Sequence, residues 1–214
     1  MKLLFVRSDF IKSIKAHQKA FGFDLSDDAI IRLADYYELI LEHNPLLHLV
    51  APCSPSEFTV RHILESLTLL EHLSHNAKFA DVGTGAGLPS IPCLLARDDL
   101  RATLIESKEK KAKFLRETIR NLGLDNRAEI VNLQFEETTA GDGMFVTCRA
   151  LDKFTEKLSR VLRWSGNRTK LFFGGPNLRT ALQKNRSLRF EEELMPMSEQ
   201  RYLFVITAAD HVLS

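Results

Sequence analysis

Cysteine is scarce: three occur in 214 residues, Cys53, Cys93 and Cys148. The number is odd, the spacing is wide and no C-x-x-C pair exists. That excludes a disulfide framework and a cysteine-based metal site, so no metal is expected and a reducing cytoplasm is. Aromatics make up only 8% of the chain, and no aromatic-rich stripe of the kind that stacks single-stranded bases is present. Long apolar runs are also missing. The opening Met1-Lys2-Leu3-Leu4-Phe5-Val6-Arg7 is too short a run for a signal peptide, and no later run reaches transmembrane length, so no membrane partner is expected. Neither sign of charge dominates: the formal net charge is +1. A polyanionic partner is neither demanded nor excluded, and local charge must decide. The length suits one substantial core with a small extension, and there is no internal repeat.

What is present is a glycine-rich turn. Lys78-Phe79-Ala80-Asp81-Val82-Gly83-Thr84-Gly85-Ala86-Gly87-Leu88-Pro89 reads as a buried strand running into a tight loop and then a helix starting near Leu88. Phe79, Ala80 and Val82 suit a strand covered on both faces. Gly83, Gly85 and Gly87 let the backbone bend and lie against a ligand, and the helix would offer free N–H groups there. Two cofactors compete for such a loop. The dinucleotide fingerprint is G-x-G-x-x-G, whereas here the third glycine comes one place early and Asp81 stands two places ahead. That form resembles motif I of the S-adenosyl-L-methionine (SAM) methyltransferases. One strand–helix–strand unit later, Glu106 ends the next strand, where an acid accepts hydrogen bonds from ribose hydroxyls. The alternative for Glu106 is a cap on the helix that follows.

Residues from about Asp9 to Leu73 read as helical. Ser8 or Asp9 caps a first helix bearing Phe10, Ile11 and Ile14. Ser26 or Asp27 caps a second, which should end near His43-Asn44-Pro45 because proline disfavours helix in the residue before it. A third is expected from an N-cap at Ser56 to Leu73. From Lys78 the pattern turns to alternating strand and helix: strands at 79–83, 102–106, 129–133, 144–148 and 170–173, helices at 108–122 and 152–164. An antiparallel pair, 190–194 and 202–207, closes the chain. Such alternation predicts a doubly wound sheet with ligands at the carboxyl ends of the strands.

Three motifs sharpen this. Arg61-His62-Ile63-Leu64-Glu65-Ser66, the loop from Asp81 to Pro89, and Cys148-Arg149-Ala150 resemble the glucose-inhibited division protein B family, the bacterial 16S ribosomal RNA guanine-N7 methyltransferases. The likeness implies a class I SAM-dependent fold: an α/β, Rossmann-like, mostly parallel sheet with an antiparallel end. It implies an N-terminal helical extension over residues 1–75 on a methyltransferase core over 76–214. By the same resemblance Gly83 and Leu88 line the methionine and ribose of SAM, Phe135-Glu136 receive the adenine, and Arg149 belongs to the cofactor site. The chain departs from the family at His43 (usually Trp), Cys148 (usually Ser) and Gly174-Gly175 (usually Lys-Gly).

Guanine N7 is already a nucleophile with no proton to lose, so no general base is required and no acid/base constellation is found. Catalysis then rests on proximity and orientation. The Asn/Asp-Pro-Pro-Tyr motif of amino-group methyltransferases is absent. Arg149 contacts cofactor, guanine or phosphate, or forms a structural ion pair. Arg61 and His62 are candidates for RNA binding or for internal pairing. Lys153, Arg160 and Arg163 belong to a basic stretch from 152 to 189, and the helix from Lys108 adds a second cluster, together an expected footprint for 16S ribosomal RNA or the small ribosomal subunit. Nothing demands more than a monomer. The competing readings are a small-molecule methyltransferase, a non-catalytic SAM- or RNA-binding protein, and, more remotely, a nicotinamide dehydrogenase.

Overall fold

The computed structural model describes residues 2–149 and 151–207; Ala150 of the third motif lies outside them. The chain begins with helices. α1 spans Lys2–His17 and passes into a short 3-10 turn, Gln18–Phe21. α2 spans Asp27–Leu47. Its start follows from the sequence: the Ser26 hydroxyl accepts the Ala29 N–H at 3.2 Å, and Asp27 and Asp28 sit in the positive first turn. Its end differs from expectation. The helix continues through Pro45 to a left-handed cap at His48, φ 48°. The lost proline N–H is outweighed by tertiary contacts: Ile40 is buried, and the Asn44 side chain grips Val50, accepting its N–H at 2.9 Å and donating to its carbonyl at 3.0 Å.

The third helical run starts two residues earlier than expected. Its N-cap is Ser54, not Ser56; the Ser54 hydroxyl accepts the Glu57 N–H at 3.1 Å and Pro55 takes the first helical place, where its missing N–H costs nothing. The run is irregular. An α-turn, α3 (Pro55–Phe58), leads into a π-helical segment, Thr59–Leu64, then α4 (Glu65–Leu67) and a 3-10 end, Thr68–Glu71. In the π turn Glu65 N–H bonds five residues back to Val60, a widening that often marks functional sites.

Then come β1 (Lys78–Val82), α5 (Ser90–Ala96), β2 (Arg101–Ile105), α6 (Glu109–Asn121), β3 (Ala128–Val131), β4 (Phe145–Arg149), α7 (Phe154–Ser165), β5 (Thr169–Gly174), α8 (Pro176–Gln183), β6 (Phe190–Leu194) and β7 (Tyr202–Ile206). The helix after the glycine loop thus begins at Ser90 rather than Leu88. Among the described residues one seven-stranded sheet forms in the order β3-β2-β1-β4-β5-β7-β6. Pairing is parallel from β3 through β5 and antiparallel at β7 and β6.

Helices cover both faces. On one face a continuous cluster runs from Phe10, Tyr37 and Phe58 through Leu67 to Ile91 and Leu115, so the N-terminal helices share the sheet's core. There Phe10 stacks on Tyr37 with ring centres 4.6 Å apart. On the other face Leu158, Val161, Leu178 and Leu182 of α7 and α8 pack on Val146, Phe172 and Phe204. No helix among the described residues is long and apolar enough to cross a membrane.

The capping assignment is testable. Ser54→Ala should lower stability to urea by about 1 kcal/mol through the unsatisfied N–H, whereas Ser56→Ala, whose hydroxyl only meets Ser13 at 3.3 Å, should cost less.

Candidate functional site

The order of strands places a crevice. β1 lies between β2 and β4, its Val82 beside Ile105 on one side and Cys148 on the other. The connections leave in opposite directions from there, so the carboxyl ends of β1 and β4 form the switch point where doubly wound sheets take ligands. The glycine loop leaves β1 at that point. Gly85 and Gly87 are both left-handed, at φ 59° and 96°. A Cβ on Gly87 would lie 2.8 Å from Ile91 Cγ1, so only glycine allows the loop to close on α5.

Two carboxylates shape the loop. Glu106, 6% exposed, accepts the Gly85 N–H at 3.0 Å and the Lys108 N–H at 2.8 Å. It therefore caps the approach to α6 and also fixes the loop. Each carboxylate oxygen keeps a second lone pair for a ligand hydroxyl. Asp81 is wholly buried. Its Oδ2 accepts hydroxyl protons from Thr84 and Ser90, both at 2.6 Å. Its Oδ1 is buried with no partner among the described residues. Burial pushes the Asp81 carboxyl up to about 7, against the pull of the two hydroxyls.

The helical block forms the opposite wall. Tyr36, fully buried in α2, donates its hydroxyl to the Ala86 carbonyl at 2.9 Å. Leu49, Val50 and Ala51, held by Asn44, face Gly83 to Ala86 across a cavity of about 240 Å³. His62, Lys111 and Arg149 complete it. The His62 ring packs on Phe58 with centres 5.1 Å apart, and its buried Nδ1 has no partner among the described residues. Burial first, then Arg149, Arg61 and Arg201, pull its pKa down to about 3, so the ring is neutral at physiological pH.

At the end of β4 Arg149 joins the core to the helical block. It donates to the Arg61 carbonyl, to Ser66 Oγ at 3.4 Å and to Glu65 Oε2 at 3.3 Å, and lies over the Phe173 ring at 5.2 Å. Glu65, 1% exposed, receives Arg201 Nε on its other oxygen at 2.6 Å. Arg149 is the wall between the first cavity and a second of about 370 Å³ at the ends of β4 and β5. Sequence reading finds Arg149 but not its partners Glu65 and Arg201, nor Tyr36 and Asn44. Only the 136-residue separation of Glu65 from Arg201, closed by the fold, brings that pair together.

Other expected site residues are placed differently. Leu88, 6% exposed, lines the first cavity. The Phe135 side chain is buried against Trp164, ring centres 5.9 Å apart, so it offers a ligand only its backbone. Glu136 binds Arg160 at 2.9 Å. Arg61 points outward to Glu57 at 2.6 Å. The basic stretch is less free than the sequence suggests. Arg168 bonds the carbonyls of Gly143, Ser165 and Gly141, Lys170 that of Gly166, and Arg179 is bidentate to Glu192. Arg163 stays exposed, and Lys153, also exposed, meets only Glu156 at 4.0 Å. Cys148 is fully buried, its thiol pushed well up by burial, and Cys53 is half-buried. Gly174 has no room for a side chain: a Cβ would come within 2.5 Å of Leu178 Cδ2.

Comparison with known proteins gives the chain's relatives. The model of the GidB family, rRNA small subunit methyltransferase G, matches residues 29–198. The ribosomal RNA small subunit methyltransferase G of Sorangium cellulosum is 37% identical over 204 residues, covering 89% of this chain and 79% of that one. Its counterpart in Neisseria meningitidis serogroup C is 34% identical, covering 73% of each. Among solved structures, the m1A22 tRNA methyltransferase of B. subtilis shares the fold at 16% identity and a TM-score of 0.54, over 71% of this chain and 68% of that one.

The raised carboxyl of Asp81 makes stability depend on pH. The folded protein holds this proton more tightly than the unfolded chain, whose value is 3.8. The group's contribution to stability is full below about 4 and is lost as pH rises through about 7. Asp81→Asn should flatten that decline, measured as urea midpoints between pH 4 and 8.

Proposed function

The chain belongs to the rRNA small subunit methyltransferase G family, and on that premise we propose that it methylates N7 of a guanine in small-subunit (16S) ribosomal RNA, using S-adenosyl-L-methionine. The observation that carries the proposal is the cavity under the glycine loop, in whose lining His62 Nδ1 is buried without a partner among the described residues; Asp81 Oδ1, at the end of the strand that leads into the loop, is likewise without one. Unpaired buried polar groups are costly, and a ligand bearing both charged and polar groups offsets that cost. SAM carries an ammonium, a carboxylate, two ribose hydroxyls and an adenine, and the donor set fits it. Gly83, Gly85 and Leu88 form the floor for its methionine and ribose, and Gly87 lets the loop close on α5. Asp81, beneath the loop, is the acid that its ammonium favours in the charged form. Glu106 retains acceptor capacity for ribose hydroxyls, and the backbone at Phe135 and Glu136 borders the place for adenine. When bound, SAM supplies an electrophilic methyl group on a sulfonium.

The protein's own task is then to align and to exclude water. With its pKa pulled down to about 3, His62 is a weak base, and methylation of N7 needs none. Arg149, at the border of the two cavities, stands where cofactor and base meet. The RNA-facing edge is the carboxyl edge of the sheet, where α6 and α7 begin. The exposed Lys108, Lys110 and Lys153 sit there, and phosphate contacts of this kind make binding fall with salt. We read the enzyme as a monomer acting in the cytoplasm, where its substrate is assembled.

The first test is methyl transfer from labelled SAM to small ribosomal subunits and to naked ribosomal RNA from cells lacking this protein. Label should appear in 7-methylguanosine; label in another nucleoside would overturn the N7 assignment. A second test is Gly85→Val. A Cβ there meets nothing nearer than Gly83 O at 3.8 Å, so the side chain takes room from the cavity, and φ 59° adds strain of about 1–3 kcal/mol. SAM affinity by calorimetry should fall by roughly tenfold or more; normal affinity would remove the loop from the site.

A further inference from the structure

The second cavity has a wall unlike the first. Phe154, Phe173 and Tyr202 line it, with Asn177, Arg149 and Arg201 as its polar groups and Glu65 beneath the two arginines. The charge balance is uneven: one carboxylate, 1% exposed, faces two guanidiniums, at 3.3 and 2.6 Å. A positive charge is left over at the wall of a partly aromatic pocket. Arg149 keeps N–H groups to spare, since its three acceptors, Arg61 O, Ser66 Oγ and Glu65, leave two of five donors unused. Arg201 lines the cavity and engages Glu65 through Nε, and its terminal amino groups make no hydrogen bond among the described residues.

Resting on the function proposed above, we infer that this cavity receives the target guanine, and that Arg149 and Arg201, aimed by Glu65, select it by donating to O6. Guanine presents N7 and O6 side by side on one edge. An arginine bidentate to both would block N7, so the donors must reach O6 alone and leave N7 turned toward the first cavity. Arg149 stands at that border. Adenine carries an amino group in place of O6, which two guanidiniums repel. A phosphate would also meet the positive charge, but three aromatic side chains line the cavity, two of them already with guanidiniums over their rings, and such a partly apolar lining suits a base better. In the reaction the N7 lone pair forms the new bond to the methyl carbon. The carbon–sulfur bond breaks with its electron pair going to sulfur, so the positive charge passes from sulfonium to the guanine ring. The guanidiniums oppose that charge, which Glu65 limits by cancelling one of the two. Glu65 is a positioning residue in this scheme, whereas Arg149 and Arg201 touch the base.

The test uses the full-length enzyme with a ribosomal RNA substrate carrying guanine, inosine or 2-aminopurine at the methylated position. Inosine keeps O6 and 2-aminopurine lacks it. The wild-type enzyme should accept inosine and reject 2-aminopurine. Arg201→Ala should lower kcat/KM on guanine by roughly tenfold or more, as expected for a lost bond to a charged donor, with SAM affinity by calorimetry unchanged and Arg201→Lys partly restored. Its preference for inosine over 2-aminopurine should shrink. Glu65→Gln should narrow the same preference even if its melting temperature falls. An Arg201→Ala loss equal for all three bases would overturn the O6 contact in favour of a phosphate, and no loss would overturn the pocket. Both results leave the N7 reaction standing. If the wild-type enzyme labels no guanine N7 in any RNA, the function falls and this inference with it.

Discussion

A single buried carboxylate holds the parts of this molecule in register. Glu65 lies in the helical run that precedes the sheet, yet its oxygens receive Arg149 from the end of β4 and Arg201 from the approach to β7. Charges so placed are expensive to bury and costly to separate: removing one partner of such a group costs about 3–5 kcal/mol. The group therefore fixes which parts of the helical block and the sheet edge must meet, because any arrangement that parts them strands a buried charge. The π turn serves the same junction. It places Glu65 and Ser66 toward Arg149 while the Arg61 carbonyl takes another of its donors.

A second set of contacts makes the helical block part of the cofactor crevice rather than an appendage. Tyr36 reaches from α2 to the Ala86 carbonyl, and Asn44 fixes Val50 as the facing wall. The glycine loop is thus clamped from outside by α2 and from within by Asp81 and Glu106. Contacts of this kind restrict a glycine-rich loop, and such preorganisation favours catalysis by alignment. Asp81 carries the cost: an oxygen without a partner and a proton held to about pH 7.

Much of this was legible in the residues. The strand–loop–helix at Lys78 to Pro89, the alternation that follows and the antiparallel end all stand within a residue or two of where the pattern puts them, because periodicity and glycine placement are local signals. The ends of the helical segments were less legible. Pro45 reads as a stop, and the helix passes through it because Asn44 and Ile40 are held by distant groups. Ser56 reads as the cap, and Ser54 takes that place because Pro55 occupies the first helical position. The basic stretch read as part of an RNA footprint, but Arg160, Arg168, Lys170 and Arg179 are paired with acceptors of the protein itself, which no charge count reveals.

The sequence by itself determined the class of fold, the glycine loop and the position of Asp81, Glu106 and Arg149 near strand ends. These depend on spacing along a short stretch of chain. Tertiary structure alone decided what those groups do. It divided Glu106 between the glycine loop and the Lys108 N–H ahead of α6, left Asp81 Oδ1 and His62 Nδ1 without partners among the described residues, and set Arg149 between two cavities with Glu65 and Arg201 behind it. The physical reason is that burial and pairing are properties of neighbours in space. Here those neighbours come from helices, strands and loops separated by as many as 136 residues.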